Sequence, residues 1–150
     1  MRTYWVWIVV VGAVAIGGCP KNTRMTSAPG NAPRLGVHVD VPSDATVDET
    51  GPYTHVGNGT FKLNLFPVGP VSPRSAAEQR ALVQMELGFA KLTREDAGAT
   101  TWRFDYELTN GMAATISRID VGRPLDCGVY GVTREIADAV AASCAGARRL

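Results

Sequence analysis

The sequence contains few of the residues that most enzymes use for catalysis. It has two histidines, His38 and His55, and three cysteines among 150 residues. The catalytic patterns GxSxG and HExxH and the phosphate-binding P-loop are absent. The charges are balanced, with 15 Lys and Arg against 14 Asp and Glu, which gives no reason to expect a nucleic-acid partner. The composition therefore indicates neither a familiar enzyme nor a nucleic-acid-binding protein.

The sequence also lacks an apolar run long enough to span a bilayer comfortably. Residues 4–16 read YWVWIVVVGAVAI and the stretch ends at Gly18, whereas a spanning helix needs about 20 residues. A charge at Arg2, a short apolar middle and small residues after it are typical of a secretory signal peptide. An uncleaved membrane anchor and an ordinary cleaved signal are the alternative interpretations.

Residues 16–19, Ile-Gly-Gly-Cys, resemble the lipobox of bacterial lipoproteins, and the resemblance covers only residues 1–19. It implies a signal peptide over residues 1–18, cleavage before Cys19, and modification of Cys19 with diacylglycerol and a fatty acid such as palmitate. Several acyl chains anchor a protein stably, whereas one chain binds only marginally. Because residue 20 is Pro rather than Asp, the resemblance implies a cell-envelope location at the outer membrane, facing the periplasm, in a Gram-negative host.

A polar, proline-rich segment separates this signal from the rest of the chain. Residues 19–36 show no apolar periodicity and predict a flexible tether. Residues 37–150 predict a single domain. At its start, the stretch LGVHVDVP alternates apolar and polar residues and predicts a half-buried strand that ends at Pro42.

Residues 53–65 predict a β-hairpin. A Gly-Asn-Gly turn at residues 57–59 separates two stretches with β propensity. In the second stretch Phe61, Leu63 and Leu65 alternate with polar residues, so one face of that strand is expected to be buried.

A helix is predicted next, because Ser75 and Glu78 form a capping box. Gly88 ends the helix in the left-handed conformation that glycine favours. The residues after it, 92–100, read LTREDAGAT and predict a connector. The residues expected on the apolar stripe of this helix are Ala77, Ala81, Leu82 and Met85.

Residues 102–108, WRFDYEL, give the clearest strand in the chain. Trp102, Phe104 and Tyr106 point to one side and charged residues point to the other. We interpret the aromatic stripe as part of a core beneath two helices rather than as a platform for a sugar or a peptide.

The return strand, residues 113–121, can pair with this strand in two registers. A two-residue Asn-Gly turn places Arg103 opposite Arg118, and opposed like charges are unfavourable. A three-residue loop instead pairs Ile116 with Phe104, and a bulge near Arg118 then returns the end of the strand to the core face. We favour the second register.

If Cys19 carries the lipid, two cysteines remain. Cys127 lies on a predicted strand, and Cys144 lies on the apolar stripe of a helix that Thr133 caps. Both cysteines are expected to face the core. Because the cell envelope permits disulfides, the sequence predicts a Cys127–Cys144 disulfide. Two unbonded thiols are the alternative. Without a CxxC motif a metal site is not expected.

Four polar residues are the candidates for chemistry, and each has a plainer interpretation. His38 and Asp40 share one face of a predicted strand, where we interpret them as solvated surface residues rather than a weak metal site. Asp105 and Glu107 also share a face and are interpreted as members of surface ion pairs rather than as paired catalytic carboxylates. We therefore predict no catalytic, cofactor-binding or metal-binding residue, and we expect no cofactor.

These patterns predict an α+β fold: a small, mainly antiparallel sheet with two helices packed on one face, the C-terminal helix tied to the sheet by the disulfide. The expected function is that of a lipid-anchored cell-envelope protein acting by non-catalytic binding, or as an envelope-assembly accessory. Its expected partners are the membrane, through the N-terminal lipid, and another envelope protein or a small ligand. The alternative is a small secreted hydrolase, which requires a pocket where a histidine meets a carboxylate or a hydroxyl.

Overall fold

The computed structural model describes residues 29–150, which form an α+β fold around a large antiparallel sheet. Cys19 and the signal peptide lie outside the described residues. The seven strands of this sheet are β3 Thr46–Asp48, β4 Thr54–Gly57, β5 Lys62–Pro67, β6 Phe89–Ala97, β7 Trp102–Leu108, β8 Ala113–Asp120 and β9 Pro124–Val132. They are ordered β3-β4-β5-β9-β8-β7-β6, so the last long strand, β9, lies at the centre.

A second, small sheet joins the two ends of the described chain. It consists of β1 Asn31–Ala32, β2 Val37–His38 and β10 Arg148–Arg149, in the order β1-β2-β10. A 3₁₀ turn, Pro33–Leu35, links the first two of these strands, and Gly36 closes it with a φ of 63°.

The folded part therefore begins earlier than the predicted boundary at residue 37. Ala32 and Leu35, expected in the flexible tether, are buried in the same core as Val37 and Val39. Prolines made this segment resemble a disordered linker, but Pro33 occupies the first position of a 3₁₀ turn, where its fixed φ is favourable.

Two α-helices, α1 Ala76–Met85 and α2 Arg134–Ala145, complete the fold. Both predicted caps are confirmed. The Ser75 hydroxyl accepts a hydrogen bond from the Glu78 amide at 3.2 Å, and the Thr133 hydroxyl accepts one from the Ile136 amide at 3.4 Å. Each bond satisfies a backbone donor that the first turn of a helix leaves free.

The α+β class, the antiparallel sheet and the tie to the C-terminal helix are confirmed, but the helices do not share a face. Phe104 pairs with Ile116, which pairs with Gly128, so these residues lie on one face of the sheet. Cys127 precedes Gly128 in β9 and therefore lies on the opposite face. α1 packs against the Phe104 face and α2 against the Cys127 face.

Each helix has its own hydrophobic core. The α1 core consists of Val83, Trp102, Phe104, Tyr106, Leu108 and Ala114. The larger α2 core includes Val37, Val39, Leu63, Leu65, Leu125, Cys127, Val140 and Cys144. The prediction of one shared face was wrong because polar residues of β7 and β8 were assigned to solvent, whereas Asp105, Thr115 and Ser117 are buried.

The favoured register of the β7–β8 hairpin is confirmed. Phe104 pairs with Ile116 and Tyr106 pairs with Ala114, across a loop in which Gly111 has a φ of 80°. The predicted bulge near Arg118 is absent from this pairing, since Arg118 lies regularly opposite Trp102. A bulge is not needed to bury Ile119, because this residue packs against the α2 core on the face opposite Phe104.

Strand β6 was missed by the sequence analysis, which assigned residues 92–100 to a connector. It is an edge strand in which most side chains are exposed, so it lacks the apolar alternation that identifies a strand. Two register shifts against β7 and charged residues such as Lys91 and Arg94 protect this edge from pairing with another chain.

The predicted Cys127–Cys144 disulfide is present, with the two Cα atoms 5.8 Å apart. Both residues are buried, and the bond joins the central strand β9 to the last turn of α2. It closes a chain segment with a sequence separation of 17 residues.

The double variant Cys127→Ala/Cys144→Ala is expected to lose about 3 kcal/mol of unfolding free energy, because it frees a loop of this length in the unfolded chain. Urea denaturation with and without a reductant measures the loss. The wild-type protein should fall to the stability of the variant when reduced, and the variant should not respond to the reductant. Equal stability of the two oxidised proteins would contradict this assignment of the disulfide.

Candidate functional site

His38 lies in a polar network on the outer side of the small sheet. Its Nδ1 is 2.6 Å from Oδ1 of Asn31 and its Nε2 is 3.1 Å from Oδ1 of Asp40. Nη1 of Arg148 donates to the same Asp40 oxygen at 3.0 Å. Hydrogen bonds from Arg148 and then His38 hold the pKa of Asp40 below its usual value. The network links all three strands of the small sheet, so its geometry serves the fold.

His55 is exposed on β4 and belongs to a different group. Its Nδ1 is 2.6 Å from Oδ1 of Asn64 on β5, and it lies opposite Asp48 in the pairing of β3 with β4. Hydrogen bonds from Thr50 lower the pKa of Asp48. Among residues 29–150, neither histidine forms a hydrogen bond to a hydroxyl or a thiol, so neither is paired with a nucleophile in this part of the chain.

Asp105 and Glu107 each contact their own cation. Asp105 forms an ion pair with Arg103 and accepts a hydrogen bond from the Thr115 hydroxyl at 2.6 Å. Asp105 is buried, which corrects the prediction of a solvated face. Glu107 forms ion pairs with Lys91 at 3.0 Å and Arg134 at 2.6 Å.

These ion pairs span three elements, β6, β7 and α2. The hydrogen bond from Lys91, followed by that from Arg134, lowers the pKa of Glu107. The prediction of ion pairs is confirmed for both carboxylates, and the two carboxylates do not face each other as a shared-proton pair would.

A buried charged pair that the sequence analysis missed lies beside the aromatic stripe. The Arg118 guanidinium binds the Asp126 carboxylate through two nitrogens and donates to the Pro73 carbonyl at 3.1 Å. It also lies over the Trp102 ring, 4.3 Å from the ring centre. The pair is buried, and the guanidinium is used in bonds to Asp126 and to the loop before α1.

A cleft of about 550 Å³ opens beside Trp102 and Arg118, where β6 ends near Ala141 of α2. The indole Nε1 of Trp102 has no hydrogen-bond partner among the described residues, but it is sealed from solvent. It therefore presents no donor to a molecule in the cleft.

The best candidate for a binding site is the part of the sheet that neither helix covers. α1 packs mainly on β6 and β7, and the loop before it lies over Arg118 and Asp126. On the same side of the sheet, β3, β4, β5 and the Tyr130 end of β9 are left uncovered. We call this surface the aromatic face. It consists of Tyr53, His55, Asn64, Phe66 and Tyr130.

Three of the rings on the aromatic face, those of Tyr53, His55 and Phe66, form a cluster. The centre of the Tyr53 ring lies 4.8 Å from the centre of the Phe66 ring and 6.5 Å from that of the His55 ring, both in edge-to-face arrangements. Tyr53 is 46% exposed and Tyr130 is 50% exposed. Amphipathic rings of this kind supply both contact area and a polar group, which is why they are enriched in protein interfaces.

At Gly128, in the middle of the sheet, the β8 backbone and the Ile116 side chain leave no room for a side chain. A Cβ on Gly128 would lie 2.2 Å from the Thr115 carbonyl oxygen, so no larger residue fits there without a shift of the backbone. Between β3, β4 and β5 the surface forms a shallow cleft of about 310 Å³ lined by Asp48, His55 and Asn64, among others. The arrangement can hold a flat or extended ligand by ring contacts and by side-chain amide and imidazole hydrogen bonds.

An apolar flank borders the aromatic face where α1 ends. Leu82, Met85 and Leu87 are 48%, 80% and 93% exposed, and the Tyr130 hydroxyl donates to the Leu87 carbonyl at 2.5 Å. The predicted apolar stripe of α1 was therefore wrong. α1 rests on broad aromatic rings, so Val83 alone supplies its buried large apolar side chain, together with the stem of Gln79.

Glu86 and Tyr106 fasten the end of α1 to the sheet. The Tyr106 hydroxyl donates to Oε2 of Glu86 at 2.6 Å. Burial raises the pKa of Glu86 above its usual value, and burial next to Glu86 also raises the pKa of Tyr106. This contact holds the apolar flank in place.

Comparison with protein-family models, with curated proteins and with solved structures finds no match to this chain. Within residues 29–150 no group of three or more potential metal ligands comes together. Neither described helix combines the length and the apolarity that a membrane span requires. The functional proposal consequently depends on the sequence patterns and on the geometry above.

Replacing Glu86 with Gln is expected to stabilise the protein at neutral pH and to leave it unchanged near pH 4. The folded pKa of Glu86 is raised, so its contribution is complete below its unfolded pKa and is lost as pH rises through the folded value. Gln keeps an acceptor for Tyr106 without a charge. The gain should stay below about 1 kcal/mol because Glu86 is partly exposed.

Thermal unfolding of both proteins across this pH range measures the difference. Glu135→Gln is the matched control, because Glu135 is exposed in the first turn of α2, where a carboxylate favours the helix dipole. A gain for Glu86→Gln that is as large at pH 4 as at neutral pH would contradict the burial argument.

Proposed function

We propose that this chain is a lipid-anchored cell-envelope protein that binds a partner without catalysis. The anchor is the acylated Cys19, and in a Gram-negative host the protein lies on the outer membrane and faces the periplasm. Support for the anchor comes from the lipobox resemblance of residues 16–19, which lie outside the described residues.

The observation that carries the proposal is the disulfide between Cys127 and Cys144. Stable structural disulfides belong to compartments outside the reducing cytosol, and the bacterial periplasm is one of them. The bond uses both cysteines of the folded part, so Cys19 is the one cysteine of the chain outside this pair. An exported, disulfide-bonded domain behind a lipobox is the arrangement expected of an envelope lipoprotein.

Non-catalytic binding is supported by the aromatic face and its apolar flank. Exposed rings and aliphatic side chains lie next to each other on one side of the molecule, as in surfaces that bind other molecules. The partner proposed is another envelope protein or a small ligand, and assembly of envelope components is one setting for such contacts.

A small secreted hydrolase is the alternative, and the contact between His38 and Asp40 is the observation that favours it. In a catalytic dyad, however, the second ring nitrogen must face a nucleophile or the substrate. In His38 that nitrogen faces the Asn31 side chain at 2.6 Å. Binding is therefore the better-supported proposal.

Crosslinking in the native host, followed by mass-spectrometric identification, tests the binding proposal. Tyr53→Ala/Tyr130→Ala removes the two exposed rings, and if both act as hot spots each costs the complex about 30-fold in affinity or more. The crosslinked partner should therefore disappear for this variant, while the fold, judged by its circular dichroism, stays intact.

Leu150→Ala is the matched control, because Leu150 is an exposed apolar residue beside the small sheet and away from the aromatic face. It should keep the partner. Recovery of the same partner with the double tyrosine variant, or its loss with Leu150→Ala, would count against the aromatic face as the binding surface.

A further inference from the structure

The two ends of the described chain meet at one corner of the molecule. β1 and β10 both pair with β2, and the Leu150 amide donates to the Gly36 carbonyl at 2.9 Å. The turn between β8 and β9 reaches the same place, because the Arg123 guanidinium donates to the Leu35 carbonyl. The described chain therefore begins and ends at this corner.

Three arginines gather there, and we call this group the arginine corner: Arg34, Arg123 and Arg149. All three are exposed. Arg34 donates to the carbonyls of Glu49 and Gly51, each at 2.7 Å, and the Arg149 guanidinium lies beside Gly122.

The arginine corner carries an excess of positive charge. Among the described residues, none of its three guanidinium groups has a carboxylate within 4.0 Å, whereas the neighbouring Arg148 pairs with Asp40. The nearby carboxylates of Glu49 and Asp120 accept hydrogen bonds from backbone amides and remain charged, so the three guanidinium groups exceed these two carboxylates by one positive charge.

The segment that connects Cys19 to this corner is also positive. Asp40 is the first acidic residue of the whole chain, whereas Lys21 and Arg24 precede the arginine corner. Since the complete sequence is nearly neutral, this positive end is balanced by acidic residues elsewhere in the fold.

The distance to the bilayer is limited by the length of the connection. Twelve peptide units separate Cys19 from Asn31, and a fully extended chain of that length spans at most about 40 Å. A lipid on Cys19 thus keeps the corner close to the headgroups. Each Lys or Arg near an anionic bilayer strengthens binding about five-fold, within a Debye length of about 8 Å.

We infer that the arginine corner docks on anionic phospholipid headgroups of the membrane that carries the lipid anchor, an inference that rests on the proposed function. Positive charge on the corner and its connection matches the negative headgroups, and the exposed Leu150 lies beside it. Docking fixes the orientation of the domain. The β7–β8 loop, at the other end of the eight-residue strand β8, then points away from the bilayer.

Energy transfer from tryptophan to a dansyl-labelled lipid headgroup tests this orientation. Trp102 is the only tryptophan after residue 7, so it is the only energy donor in the processed chain. Its strand partner Arg118 lies two residues before the end of β8 that faces the corner, so Trp102 is near the corner. Acylated protein that begins at Cys19 is placed in phosphatidylcholine vesicles with and without phosphatidylglycerol. Transfer should be stronger with phosphatidylglycerol and should lose this excess at 1 M salt, where the Debye length is about 3 Å.

Arg123→Gln/Arg149→Gln should abolish the excess transfer, because losing two charges lowers the docked-to-undocked ratio about 30-fold. Arg123→Lys/Arg149→Lys keeps the charge and should restore it. The control Lys62→Gln/Lys91→Gln removes the same charge from the opposite end of the strands and should leave the excess unchanged. Equal transfer in both kinds of vesicle, or an equal loss with the control, overturns the inference.

Failure of the lipid anchor has a different signature. Intact mass then shows no acyl groups on the purified protein, which refutes the proposed anchor. Flotation of that protein with phosphatidylglycerol vesicles still tests the corner: binding that the Arg123→Gln/Arg149→Gln variant loses supports it, and no binding overturns it.

Discussion

The disulfide between Cys127 and Cys144 is the constraint on which the rest of the structure depends. β9 lies between β5 and β8, so a covalent bond from β9 to α2 fixes the helix against the middle of the sheet. The residues around the bond form the larger of the two cores, and strand β2 packs into the same core. With that face occupied, α1 packs on the other, where the β7 rings offer a flat apolar surface.

The division of the two faces explains why the molecule presents a binding surface. α2 packs at the centre of its face, whereas α1, ten residues long, covers only one end of the other. The uncovered part retains exposed rings at Tyr53 and Tyr130. The open surface is the structural counterpart of the binding function proposed above.

The sequence predicted the features that depend on neighbouring residues and on two-residue periodicity. The β7–β8 register followed from the Asn-Gly loop and from the repulsion between Arg103 and Arg118, and the helix caps followed from Ser75 and Thr133. The disulfide followed from two inward-facing cysteines. No residue of the proposed aromatic face was recognised as a site, since exposed rings on separate strands leave no local pattern.

The remaining errors have a common physical origin. Polar residues were assigned to solvent, but Asp105 is buried with Arg103 and Thr115 as partners, and Arg118 is buried with Asp126. A buried polar residue with a distant partner has the same local sequence as an exposed one. For the same reason the sequence did not predict which face of the sheet α2 covers. Strand β6 was taken for a connector because it is an edge strand that is exposed along most of its length.

Intact-mass analysis of the protein isolated from its native envelope tests the central claim most directly. The account predicts a chain that begins at Cys19, carries acyl groups there, and weighs two hydrogens less than the fully reduced form because Cys127 and Cys144 are bonded. A polypeptide that retains Met1, lacks acyl groups and has three free thiols would contradict it.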